Sequence, residues 1–244
     1  MSQAWRWAVA ESAAETAVVV VAVAALGRVV TARERRGHPS PEHGINHWLA
    51  EHRTRPLDTV TWLFSTYADT AATITAALAY GAALGLRPAG QPTDHDPPGT
   101  TSAERLEEPT HTGRASRDEA VRRAVAPLAA ITLETIAFTS AAALVGRARP
   151  AVPQLDKPAP TSSFPSGHTG ANVALHMTLA RLALPRRSRV RRAMLSTALP
   201  TAVAASRVYR GMHHPSDVVV GAAVGAWAAR RVRLLEQTWA SSSR

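Results

Sequence analysis

Residues 206–217 read SRVYRGMHHPSD, a run that joins two apolar segments, Met194–Ala205 and Val218–Val232. A connection between two apolar helices has no structural need for two arginines, two histidines and an aspartate. Five positions carry the interest at set spacing: Ser206, Arg207, His213, Pro215 and Asp217. Pro215 suits the first position of a new helix, which places Asp217 in its first turn. Alone, Asp217 reads as an ordinary first-turn acid favoured by the helix dipole. Four residues after His213, it is also placed to accept the proton-bearing imidazole nitrogen, fixing the tautomer and stabilising an imidazolium.

Two further segments precede this one, each in a connection between apolar stretches: Gly146-Arg147-Ala148-Arg149-Pro150 and Pro165-Ser166-Gly167-His168. An Arg-Pro pair says almost nothing alone, and Pro-Ser-Gly-His alone reads as a turn with a serine cap. Together with residues 206–217 they make a phosphate chemistry. Arginine stays charged and its planar fork binds two oxygens at once, so Arg149 and Arg207 are the candidates to hold a phosphate. Ser166 and Gly167 open a helix, whose unpaired amides and positive dipole end form an anion cradle, with glycine permitting close approach. Imidazole is neutral near pH 7 and can form a phosphohistidine, which makes His213 the candidate nucleophile. His168 is then free to protonate the leaving oxygen and later to activate water. No metal or cofactor enters this scheme. His214 and His176 lie near these elements without an evident partner.

Outward from the motifs, apolar stretches alternate with arginine-rich or proline-rich connections along all 244 residues, the pattern of a multi-span helical membrane protein. The spans expected are Trp5–Val30, Leu57–Leu86 with Asp69 inside it, Ala124–Val145 with Glu134 inside it, Gly167–Leu184, Met194–Ala205 and Val218–Val232. Asp69 and Glu134 are costly in apolar spans unless they pair with an arginine or line a substrate path. The polar stretch Arg33–Arg55 is expected as a solvated loop or surface helix. Within it His43 and His47 have the spacing of helical zinc ligands, but no carboxylate or third ligand is placed with them. Residues 87–123, rich in Pro, Gly, Thr and charge, are expected as a disordered insert in one domain spanning 1–244.

Composition narrows the partners. The net charge is +10, and 27 of the 28 basic residues are arginine, Lys157 being the exception. That balance suits a phosphate-bearing substrate or an anionic lipid surface. Aromatic residues make up 5% of the chain and no nucleic-acid-binding signature occurs, so nucleic acid is not expected as a partner. Absent cysteine removes disulfides, thiolate zinc sites and cysteine nucleophiles. The mean hydropathy of −0.09 is low for a membrane protein and averages over very uneven segments. Oligomeric state leaves no signal in the sequence.

The ordered set Arg149-Pro150, Pro165-Ser166-Gly167-His168 and Ser206-Arg207-x5-His213-x3-Asp217 resembles the three-part signature of the type 2 phosphatidic acid phosphatase and vanadium haloperoxidase superfamily. The resemblance covers residues 124–232. It implies an all-α fold, a six-helix transmembrane bundle in the membrane members, with the three parts meeting at one pocket. It implies a nucleophilic histidine at His213, an acid histidine at His168, and phosphate bound by Arg149 and Arg207. That family normally carries a lysine seven residues before the arginine of the first part, where this chain has Ala142. Arg147 is the expected substitute, since alternate side chains of an extended segment share a face. The function expected is hydrolysis of a lipid-linked phosphate mono- or diphosphate ester, such as an isoprenoid diphosphate, phosphatidate or phosphatidylglycerol phosphate. A soluble acid phosphatase, a vanadate-dependent haloperoxidase and a non-enzymatic lipid-binding membrane protein stay open as alternatives. Six spans divide the 28 basic residues 17 to 11, with the two connections that carry the motifs, and Arg33–Arg55, on the poorer side. The positive-inside bias then puts the active site on the extracytoplasmic face of a multi-pass cell-membrane protein.

Overall fold

The computed structural model describes residues 3–38, 40–86, 111–185 and 187–242. The described residues form eight helices and no strand: α1 (Gln3–Arg35), α2 (Glu42–Glu51), α3 (Arg55–Tyr67), α4 (Thr70–Gly85), α5 (His111–Val145), α6 (Gly167–Ala183), α7 (Arg189–Tyr209) and α8 (Pro215–Ser242). The all-α expectation agrees with this, and the count of helices differs from six for two physical reasons. The polar stretch before Arg55 folds into the short surface helix α2. The second apolar stretch is not one helix, because the chain breaks at Ala68 and Asp69, and Asp69 becomes the residue that opens α4.

The expected insert is also shorter than 87–123. Residues 111–123 form the first turns of α5, where arginine, glutamate and alanine favour helix and Glu119 pairs with Arg123 one turn on. Residues 87–110 lie outside the described residues. Two helices are long and apolar enough to cross a membrane by length and composition: α1 and residues 117–145 of α5. At about 1.5 Å per residue, the 33 residues of α1 reach about 50 Å, beyond a hydrocarbon core of about 30 Å. Much of α1 presents apolar side chains outward, Val18, Val21 and Val29 among them, as a lipid-facing helix does.

At the centre lies α6, which packs against α5, α7 and α8 at once. Small residues make this possible. A Cβ on Gly225 of α8 would stand 2.1 Å from the Gly170 carbonyl oxygen, and one on Gly221 would stand 2.3 Å from that of Ser166. The Gly221-x-x-x-Gly225 face therefore brings two backbones into direct contact, as in membrane helix pairs. Ala77, Leu84, Ile131, Leu175 and Leu179 fill one core between α4, α5 and α6, and Ala126, Ala130, Ala174, Ala228 and Val232 fill another with α8.

Two polar ends result. At one, the start of α1 meets the end of α8, where Arg231 binds Glu11, Glu15 and Ser12, and Trp5 packs on Trp239. At the other, the end of α1, all of α2 and the three motif segments converge. Glu134 of α5 stands apart from both expected readings. It is 1% exposed, it has no arginine partner, and neither carboxylate oxygen has a hydrogen bond among the described residues.

Candidate active site

Backbone hydrogen bonds zip the three motif segments together. The Ser163 amide donates to the Arg147 carbonyl at 3.0 Å, and the Ser163 hydroxyl donates to the Ala148 carbonyl at 2.9 Å. The Ser166 amide donates to the Asp217 carbonyl at 2.9 Å, tying the start of α6 to the start of α8. Segments far apart in the chain thus share one corner because α6 and α8 touch backbone to backbone.

His213 lies in the connection between α7 and α8, buried, with Nδ1 2.7 Å from the Ser163 carbonyl oxygen. A carbonyl only accepts, so Nδ1 carries the proton and the lone pair resides on Nε2. The Asp217 carboxylate, expected as the orienting acceptor, is 3.7 Å from Nδ1 and further than the carbonyl. Its oxygens accept instead from the His214 amide at 2.8 Å and from Arg147 at 2.6 Å. Asp217 therefore supports the tautomer through its charge, while the Ser163 carbonyl sets the ring direction. Burial lowers the His213 pKa from its ordinary value, the Arg207 and Arg149 charges lower it further, and Asp217 opposes them. The outer side of the connection is held by Asn46 of α2, whose amide donates to the His213 carbonyl at 3.1 Å.

His168 sits in the first turn of α6, 27% exposed, where the charges of Arg207, His213 and Arg149 act on it. Its Nε2 is 3.5 Å from the carboxylate of Asp69, which is 68% exposed at the α3–α4 break. Of the two acids in apolar stretches, Asp69 is the one that reaches the site. The helix break that splits the expected second span places it there.

Arg207 is held from the side by α3 and by the connection before α6. Its Nη1 donates to the Ser65 hydroxyl at 2.6 Å and to Asp156 at 3.1 Å. Asp156 also accepts from Arg210 through Nε and Nη2. Burial would raise the Asp156 pKa, but these arginines and Ser65 hold it below the ordinary value. Buried Nε of Arg207 has no hydrogen-bond partner among the described residues, a donor left for a ligand. Arg149 is half-buried and donates through Nη1 to the Met212 carbonyl at 2.6 Å.

Two expected phosphate ligands are placed differently. Arg147, the proposed substitute for a lysine at Ala142, is 0% exposed and all five of its N–H groups are consumed. Nε and Nη2 donate to Glu34, Nη2 also to Glu42, and Nη1 to Ser216 and Asp217. It is a structural hub between α1, α2 and α8, with no donor left for phosphate. Burial alone would raise the Glu42 pKa, yet hydrogen bonds from Arg147 and Ser216 hold it down at about 2. Ser166 is buried, its hydroxyl 3.1 Å from that of Thr169 and its amide taken by Asp217. Its neighbour Gly167 is glycine for a packing reason, since a Cβ there would stand 2.7 Å from the Phe138 ring. The amides of Gly167 and His168 still precede the first α6 bond, from Gly170 to the Ser166 carbonyl, and keep the helix-start cradle.

The residues that sequence reasoning missed are supports: Ser163, Asp156, Glu34, Glu42 and Asn46. Arg210, also missed, alone had a signal, since it caps α7 three residues after Arg207. His176, without an evident partner in the sequence, has one in the structure, the Tyr67 hydroxyl at 3.0 Å.

Similarity to known proteins follows the same geometry. A solved structure, the crystal structure of the first transmembrane PAP2 type phosphatidylglycerolphosphate phosphatase from Bacillus subtilis, matches with a TM-score of 0.65. The match covers 92% of this chain and 95% of that one at 17% identity, which establishes a shared fold. No curated protein sequence matches the chain. The PAP2 superfamily profile matches residues 123–240, the region that contains all three motif segments. Through that region, the chain is similar to the PAP2 superfamily.

Proposed function

We propose that the protein is a membrane lipid-phosphate phosphatase working through a phosphohistidine on His213. The observation that carries this is the Ser163 carbonyl at Nδ1, which leaves a neutral His213 with its Nε2 lone pair among Arg207, Arg149 and His168. Arg207, Arg149 and the amides of Gly167 and His168 hold the non-bridging oxygens. The Nε2 lone pair attacks phosphorus, the bond to the leaving oxygen breaks, and His168 delivers a proton to that oxygen. His168 then takes a proton from water, whose oxygen attacks the phosphohistidine and releases inorganic phosphate. The Asp69 carboxylate, 3.5 Å from Nε2 of His168, is placed to relay that proton.

The substrate class is a phosphate mono- or diphosphate ester on a lipid: isoprenoid diphosphate, phosphatidate or phosphatidylglycerol phosphate. The lipid is supported by the outward apolar face of α1 and by the transmembrane neighbour, whose own substrate is a phosphatidylglycerol phosphate. Six crossings fit the eight helices if α1, α4, α5, α6, α7 and α8 cross while α2 and α3 stay at the active-site end. With the arginine-rich end cytoplasmic, the site faces the extracytoplasmic side.

The test is phosphate release by detergent-purified protein from a panel of those lipids with EDTA present. Hydrolysis of at least one lipid by the wild type, and none by His213→Ala, is expected. Activity lost in EDTA and restored by magnesium would move the protein to another phosphatase class.

A further inference from the structure

The histidine pair on α2 acquires in space the partners its sequence lacks. Glu34 from the end of α1, His43 from α2 and His214 from the α7–α8 connection each offer a ligand atom, all within 4.8 Å of one another. Nε2 of His43 is already 3.6 Å from the Glu34 carboxylate. The His43 and His214 rings lie 5.1 Å apart between centroids, tilted by 44°. All three residues line a cavity of about 370 Å³, together with His47, one helical turn beyond His43 on the same face of α2.

We infer that Glu34, His43 and His214 form a binding site for a zinc-class divalent transition metal, made of residues outside the proposed reacting set and open to the cavity, whose wall also carries Arg149. A second observation points the same way. His214 is 2% exposed, and its Nδ1 has no hydrogen-bond partner among the described residues. A buried imidazole nitrogen left this way is costly, and a metal or its bound water removes the cost. Around the Arg147 guanidinium stand three carboxylates, Glu34, Glu42 and Asp217, with Arg35 and Arg149 on the cavity wall, so the anionic groups face the cations one for one. Arg147 takes one lone pair from each Glu34 oxygen, and a carboxylate oxygen has a second to give.

The donor set selects the ion. Two imidazoles and one carboxylate suit zinc and its neighbours, whereas magnesium and calcium prefer all-oxygen shells. Tetrahedral bonds of about 2.0–2.1 Å put donors about 3.4 Å apart, so the widest separation must contract by about 1.4 Å. Rotation of His43, partly exposed at the cavity, can supply that movement. Water or His47 completes the shell.

The experiment measures the metal itself, so its result does not depend on phosphatase activity. The full chain, purified in detergent without a polyhistidine tag and stripped with EDTA, is equilibrated with micromolar zinc and its metal content read by mass spectrometry. About one zinc per chain, with a Tm rise of about 5 °C, is expected for the wild type and for His52→Ala. His43→Ala, whose zinc-free Tm checks its folding, should lose both. In the unmodified chain Co2+ should give the intense visible bands of a four-coordinate site. Zinc content below about a tenth per chain, equal content in His43→Ala and wild type, or only the weak spectrum of hydrated Co2+ would each overturn the site.

Discussion

Replacing Arg147 by alanine separates a phosphate ligand from a structural hub. The guanidinium is fully enclosed and gives five hydrogen bonds, to Glu34, Glu42, Ser216 and Asp217. Arg147→Ala leaves three carboxylates facing one another with no cation between them. Breaking one buried ion pair by removing a partner costs about 3–5 kcal/mol, and here the surviving carboxylates can regain water only by opening the corner between α1, α2 and α8. For a chain of this length each kcal/mol moves Tm by about 2–4 °C, so a fall of about 10 °C is expected. Arg147→Lys keeps the charge with three donors in place of five, and should fall about half as far. The assay is thermal unfolding in detergent, followed by kcat and KM measured well below the lower Tm. With Arg147 as a hub, KM for the phosphate ester stays within about twofold of wild type in whatever fraction is folded. A variant with wild-type Tm and a tenfold higher KM would refute it and restore Arg147 as a phosphate ligand.

Asp156→Asn keeps the shape of the residue that aims Arg207 but removes its charge. It should lower kcat/KM by about 10- to 100-fold and weaken inhibition by free phosphate in parallel, whereas a purely structural loss would leave the inhibition constant unchanged. His168→Ala should cost about 10²- to 10⁴-fold in kcat with little change in Tm, because the ring is partly exposed and bonded to no backbone group the fold depends on; near-normal turnover would remove it from the proton path. Because the chain has no cysteine, single cysteines at Ala159 and Ser188 report topology. An impermeant maleimide applied to intact cells should label the first and spare the second, and the reverse pattern would put the chemistry in the cytoplasm.

Much of the fold was legible because apolar length and motif order are local properties. The stretches 167–184 and 218–232 correspond closely to α6 and to the middle of α8. The second apolar stretch misled because hydropathy does not register a helix break: Ala68 and Asp69 interrupt Leu57–Leu86 without a proline or glycine to mark it. Residues 111–123 misled for the opposite reason. Their charge reads as solvated chain, while an i,i+4 pair and the long helix that follows let helix propagate through them.

In the site, the residues proposed to react were legible in the sequence and their supports were not, and the division has a physical cause. A nucleophile, an acid and an anion cradle must come from residue types with few substitutes, so His213, His168, Arg207 and Arg149 stand out even without contacts. A support needs only an acceptor at the right place, and any carbonyl or carboxylate brought there by the fold will serve. The Ser163 carbonyl thus took the place expected for Asp217, an exchange no side-chain pattern could reveal. Arg147 shows the same limit from the other side. Two-residue alternation put it beside Arg149 only if residues 147–149 were regular strand. Gly146 instead turns the chain with φ of 65°, and the Arg147 backbone pairs with Ser162 and Ser163. Its guanidinium then meets Glu34 and Glu42, more than 100 residues earlier in the chain. Charge was conserved in the reading and direction was not, and direction decides whether an arginine holds a substrate or holds the protein.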